Sequence, residues 1–146
     1  MHFVLTVRKQ RQDAEEKALS RVLAKMRAAE RRLVDLRSAR EHTIEQRRAL
    51  LGLVLTGAEH TEFDLRRQML ERSLEQAEAE IEALDWERTQ QNALYVEARC
   101  QREVISELVD KRWRVQRAAE DRAEQRRADD IFLGQRGRDK NNAVQT

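Results

Sequence analysis

The stretch LLGLVLTG, residues 50–57, lies uncharged between two long Arg/Glu-rich segments and holds two of the chain's four glycines, Gly52 and Gly57. If the chain runs straight through it, the molecule is one continuous spindle. If the chain reverses there, it is a hairpin. The flanks decide between the two. On the N-terminal side Leu19, Val22, Met26, Ala29, Leu33 and Leu36 recur in steps of 3 and 4, which is a heptad seam. On the C-terminal side Leu70, Leu74, Ala77, Ile81 and Leu84 recur in steps of 4 and 3. Two amphipathic helices joined by a short glycine-containing connection make an antiparallel hairpin.

The spacing predicts a first helix over about 5–50, a turn over about 51–61 and a second helix over about 62–133. Gly57 reads as a helix terminator and Thr61 as the N-cap of the second helix, with Asp64 completing a loose capping box. Beyond Leu36 the strict first seam meets Arg40 and Thr43, and the apolar stripe resumes at Ile44 and Leu51. That spacing predicts a local shift of phase. In the second helix the frame continues through Arg88, Gln91, Tyr95, Ala98, Arg102, Ile105 and Val109, a weaker and more polar seam. The arms are unequal, so some 20–30 residues at the end of the second helix have no partner within the chain. Residues 1–136 read as one hairpin domain and 137–146 as a disordered tail.

Charge supports the reversal. Residues 1–48 carry 13 Lys/Arg and 7 Asp/Glu, whereas residues 49–100 carry 5 and 11. Close to the bend, residues 27–48 hold 7 Arg against 4 acids, and residues 71–87 hold 7 acids against 1 Arg. Folding back sets these segments side by side. Exposed ion pairs contribute only about 0–1 kcal/mol each, so they select orientation more than they stabilise. The implied register places Leu36 by Leu74, Leu33 by Ala77, Ala29 by Ile81 and Met26 by Leu84.

Composition points the same way. The chain has 146 residues, 38% charged and 4% aromatic, with no proline. Ala, Leu, Glu, Arg and Gln favour helix, and nothing interrupts it. So polar a chain invites a disordered reading, which the apolar periodicity opposes. The class is all-α. The opening MHFVLTVRKQRQ has no signal-peptide layout, and ALLGLVL is too short to span a bilayer.

Chemistry is sparse. His2, His42 and His60 are far apart in sequence, and Cys100 has no nearby histidine. There is no glycine-rich phosphate loop. A solvated helix pair encloses no pocket that could tune its carboxylates. The reading is therefore not an enzyme, with no catalytic residue, metal ligand or cofactor assigned. KRWRVQR, residues 111–117, sets Trp113 among Arg112, Arg114 and Arg117. It could hold nucleic-acid phosphates and stack a base. Flanking Glu107, Asp110, Glu120 and Asp121 favour a protein contact instead. Three apolar features lie outside the seam: the island with Phe63, FVLTV at 3–7, and Ile131, Phe132 and Leu133 in DDIFLG. They suggest a rod with a sticky patch at each end.

Two of these segments carry a family resemblance. FVLTVRKQRQDAEEKAL at the start resembles the opening of the type III secretion central-stalk family, which includes flagellar FliJ and the injectisome YscO/HrpO-type proteins. EVISELVDKRWRVQRAAEDRAEQRRADDIFLGQR resembles its C-terminal helix, and the likeness spans roughly residues 1–136. The resemblance implies a cytoplasmic antiparallel coiled coil, peripheral to the inner-membrane export apparatus. It implies that the end bearing both termini contacts a hexameric secretion ATPase through Phe3, Leu5, Val7, Ile131, Phe132 and Leu133. It implies that Leu50, Leu53, Val54, Leu55 and Phe63 contact the membrane export gate, and that secretion chaperones also bind. Aromatics are few near the turn, which tilts the resemblance towards an injectisome member. The stalk is expected to be monomeric when free. Two other readings stand beside it: a dimerising coiled-coil scaffold, and an Arg-rich hairpin that binds nucleic acid.

Overall fold

The computed structural model describes residues 1–145. The chain is all-α, a helical hairpin with unequal arms: α1 spans His2–Ala49, 48 residues, and α2 spans Gly57–Val144, 88 residues. The expected helices at 5–50 and 62–133 are therefore both extended. α2 carries through residues 137–144, which sequence analysis placed in a disordered tail. Gly134 and Gly137 each weaken a helix by roughly 1 kcal/mol but do not break it, and no proline follows.

The connection is tighter than the sequence suggested. The Leu50 amide is shared between the Gln46 and Arg47 carbonyls at 3.3 and 3.2 Å, and the Leu51 amide reaches Arg48 O at 3.0 Å. These shortened bonds close the last turn of α1. The Leu53 amide then bonds Leu50 O at 3.1 Å across Gly52, whose φ is +109°. Only glycine takes such a backbone without strain. Gly57 does not terminate a helix; it is the first residue of α2.

The N-cap is Thr56, not Thr61. The Thr56 amide donates to Glu59 Oε2 at 2.7 Å, and the Glu59 amide donates to Thr56 Oγ1 at 3.3 Å. This is a complete reciprocal capping box. Thr61 lies inside the helix, its hydroxyl donating to Gly57 O at 2.8 Å.

The chain forms two compact units: Lys9–Arg99, and Met1–Arg8 together with the chain from Cys100 onward. In the Lys9–Arg99 unit the helices run antiparallel. Arg47 meets Asp64 at 3.1 Å, Arg37 meets Glu78 at 3.7 Å and Arg32 meets Glu80 at 3.7 Å. The basic and acidic segments thus lie flank to flank. Val22, Ala29, Leu74, Ala77, Leu84 and Ala98 are buried. Leu19, Met26, Leu33, Leu36, Leu70 and Ile81 are half-buried along the same frame.

The expected phase shift after Leu36 does not occur. Thr43 is buried and Arg47 and Leu50 are half-buried, all in the original heptad frame, while Ile44 and Leu51 are exposed. Thr43 is tolerated because its hydroxyl donates to Ala39 O at 2.9 Å, so no polar atom is stranded. Towards Lys9 the seam turns polar, with Gln12, Glu15 and Gln91 half-buried in it.

In the other unit, Leu5 and Arg8 face the seam of α2, where Arg102, Ile105 and Val109 are half-buried. Arg8 Nη1 donates to Gln101 Oε1 at 2.6 Å. From Asp110 onward every described side chain is exposed.

Candidate functional site

The apolar residues singled out in the sequence fall into two groups. The first lies at the bend, in the Lys9–Arg99 unit. Leu50 and Phe63 come together there, lining a hollow of about 220 Å³ with Glu59, Glu62 and Arg66. Leu55 is also half-buried, whereas Leu53 is exposed and Val54 is fully exposed at 100%. The bend therefore exposes Leu53 and Val54, while Leu50 and Phe63 line the hollow.

Beside this hollow runs a larger groove of about 510 Å³. Ile44, Leu51, Phe63 and Leu70 supply its apolar lining, and Arg40, Arg47, Arg48 and Arg67 supply cations. Sequence reasoning did not connect these arginines with the bend. The signal was present: Arg40 and Arg47 continue the heptad row of Leu19, Met26 and Leu33. A strict frame, carried past Leu36, leads directly to them. Ile44 and Leu51, displaced from the seam, become groove lining.

The Thr56–Glu59 box caps the start of α2 shortly after Leu53 and Val54 in the chain. Donation from the Thr56 amide, and then from its hydroxyl at 3.1 Å, keeps the Glu59 carboxyl below the ordinary carboxylate range. The nearby His60 adds in the same direction. The arrangement is a capped helix end, with no nucleophile or base poised over a cavity.

The second group lies in the unit that holds both termini. Phe3 is 79% exposed, Val7 is exposed and Leu5 is half-buried. Ile131, Phe132 and Leu133 are all exposed. The structure does not bring these two sets together. Met1 and His2 stand beside Val109, Arg112, Trp113 and Gln116 around a hollow of about 250 Å³. Phe132 lies farther along the same helix, about 28 Å beyond Trp113 at 1.5 Å per residue. Trp113 thus lies beside the first residues of the same chain and is itself 60% exposed.

Among the described residues no group of three His, Cys, Asp or Glu could hold a metal ion. No described helix is long and apolar enough to cross a membrane.

The family model described as "Flagellar FliJ protein" matches residues 1–141. No curated protein and no solved structure matches the chain significantly. The matching family model is the flagellar one, against the tilt towards an injectisome member drawn from the scarcity of aromatics at the turn.

Proposed function

Because the chain belongs to the flagellar FliJ protein family, whose members are non-enzymatic flagellar export components, we propose that it is a stalk coupling the export ATPase ring to the membrane export gate. In this reading it works at the cytoplasmic face of the inner membrane, peripheral to the export apparatus. Phe3, Leu5 and Val7, with Ile131, Phe132 and Leu133, engage the hexameric ATPase. Leu50, Leu53, Val54, Leu55 and Phe63 engage the gate, and secretion chaperones use the surfaces between.

One observation supports the ATPase assignment above the others: the bare run of α2. From Asp110 to Val144 it is helical with every side chain exposed. A lone helix with its side chains is about 10–12 Å across, narrow enough for the lumen of a hexameric ring. Its exposed Ile131–Phe132–Leu133 cluster would supply an apolar grip where the surrounding sequence is charged. Its exposed side chains leave its surface accessible to a partner that surrounds it. At the bend, a fully exposed Val54 beside Leu53 offers a small apolar tip to a second partner.

The test is the ATPase rate of the cognate hexamer with and without the full chain. The expected result is stimulation that is lost when the chain is truncated after Asp130, with mean residue helicity retained. Failure of the full chain to stimulate removes the proposal. Equal stimulation by the truncated chain removes the role of Ile131–Leu133.

A further inference from the structure

A second apolar stripe runs along α2 on the face turned away from the hairpin seam. Leu65, Met69, Ala79, Ala83, Trp86 and Ala93 follow one another in the same steps of 3 and 4, with Arg72, Gln76 and Gln90 at the intervening positions. All six are exposed, Trp86 at 67%. They share no heptad row with Leu70, Leu74, Ala77, Ile81 and Leu84, and lie about half a turn from them. α1 has no counterpart. Its outward rows hold Gln10, Lys17, Arg21, Arg31, Asp35, His42 and Glu45 among small residues. The stripe belongs wholly to the Lys9–Arg99 unit and is separate from the surfaces assigned to the ATPase and the gate.

The rows bordering this stripe are acidic. Glu75 and Glu82 flank one side and Glu80 and Glu87 the other, and Arg66 is the one basic residue, close to the bend. Glu80 meets Arg32 of α1. Among the described residues Glu75, Glu82 and Glu87 make no ion pair, whereas neighbouring Glu71, Glu78 and Asp85 each do. The acids left over are therefore those beside the stripe.

We infer that the outward face of α2 over residues 65–93 is a docking surface for an amphipathic helix rich in Lys or Arg, supplied by another protein. Small alanines allow close approach of a helix backbone, and Trp86, Met69 and Leu65 provide area to bury. The charges on its borders decide the occupant. Two copies pairing through this face would set acidic rows against acidic rows, which is unfavourable at the flanks of a helix pair. The basic α1 of a second copy could not serve, because its outward face carries no apolar stripe. A basic helix with its own heptad stripe meets both requirements. The surface is about 42 Å long, enough for a partner helix of about 28 residues.

The test uses the full chain carrying Trp113→Phe, so that Trp86 is the only tryptophan. The probe is a synthetic heptad peptide of about 28 residues, with Leu and Ala on its stripe and Arg and Lys beside it. A control peptide carries Glu in place of the Arg and Lys. The expected result is a saturable blue shift of Trp86 emission with the basic peptide. Binding should weaken at least about tenfold with the acidic peptide, and likewise in a Glu75→Lys/Glu82→Lys/Glu87→Lys chain of unchanged circular dichroism. Equal binding of both peptides, or no shift with the basic one, overturns the inference. So does the same shift on concentrating the chain alone, since the occupant would then be a second copy.

Discussion

The Gln91 side-chain amide donates to the Glu15 carboxylate at 2.5 Å and to the Glu15 carbonyl at 3.3 Å, across a sequence separation of 76 residues. Both residues are half-buried at seam positions where a coiled coil ordinarily places Leu. Gln91→Leu alone should destabilise the hairpin by about 1–2 kcal/mol, because Glu15 keeps its partial burial and loses its donor. Glu15→Leu/Gln91→Leu should recover or exceed the original stability, since two apolar residues replace two polar ones in the seam. Urea titration of the three chains measures this. A single variant as stable as the double variant would show that the pair contributes nothing.

The register is open to direct measurement. In a Cys100→Ser background, Leu33→Cys and Ala77→Cys should form a crosslink rapidly under mild oxidation. Ala77 is 1% exposed and Leu33 half-buried in the same antiparallel seam. The ion pairs Arg37–Glu78 and Arg32–Glu80 bracket the site. Moving one cysteine to Val34, which is 63% exposed, should slow crosslinking strongly. Equal rates would reject the alignment.

The bend depends on one backbone conformation. Gly52 has φ +109°, and a Cβ placed there would meet nothing within 4 Å. Gly52→Ala should therefore act through backbone strain alone, at a cost of about 1–3 kcal/mol. Gly57→Ala, at the open first position of α2 with no positive φ, should leave stability unchanged or slightly raised. Thermal unfolding of both variants distinguishes a conformational requirement at Gly52 from a general dependence on glycine.

The cap of α2 should respond to acid. Glu59 titrates below its ordinary value of 4.5 because the Thr56 amide, followed by the Thr56 hydroxyl, donates to the ionised carboxylate. The folded pKa is depressed, so this stabilisation is present above the unfolded value and is lost as pH falls through the folded one. Amide exchange in the first turn of α2 should quicken over that window. Glu59→Gln should remove the pH dependence in that turn. An exchange profile that keeps its pH step in Glu59→Gln would assign the step to another group.

The two heptad frames, the all-α class, the place of reversal and the pairing of a basic flank with an acidic one were legible in the sequence. Each follows from periodicity, composition or charge read along a single helix, and these properties are local. The apolar candidates at the bend and near the termini were also legible. Their grouping was not, because it depends on which residues of the two helices lie side by side: Met1 and His2 lie beside Trp113, about 28 Å along α2 from Phe132. The choice of cap and the phase of the first helix were decided only by tertiary structure. Thr56 and Thr61 are each followed three residues later by an acid, Glu59 and Asp64, so the local signal allows either. Asp64 is taken by Arg47 across the bend, which leaves the box to Thr56 and Glu59. The same contact holds Arg47 against α2 in the original frame. Ile44 and Leu51 consequently remain outside the seam although they are more apolar than Thr43. Competition between equally good local signals was settled by contact with the other helix.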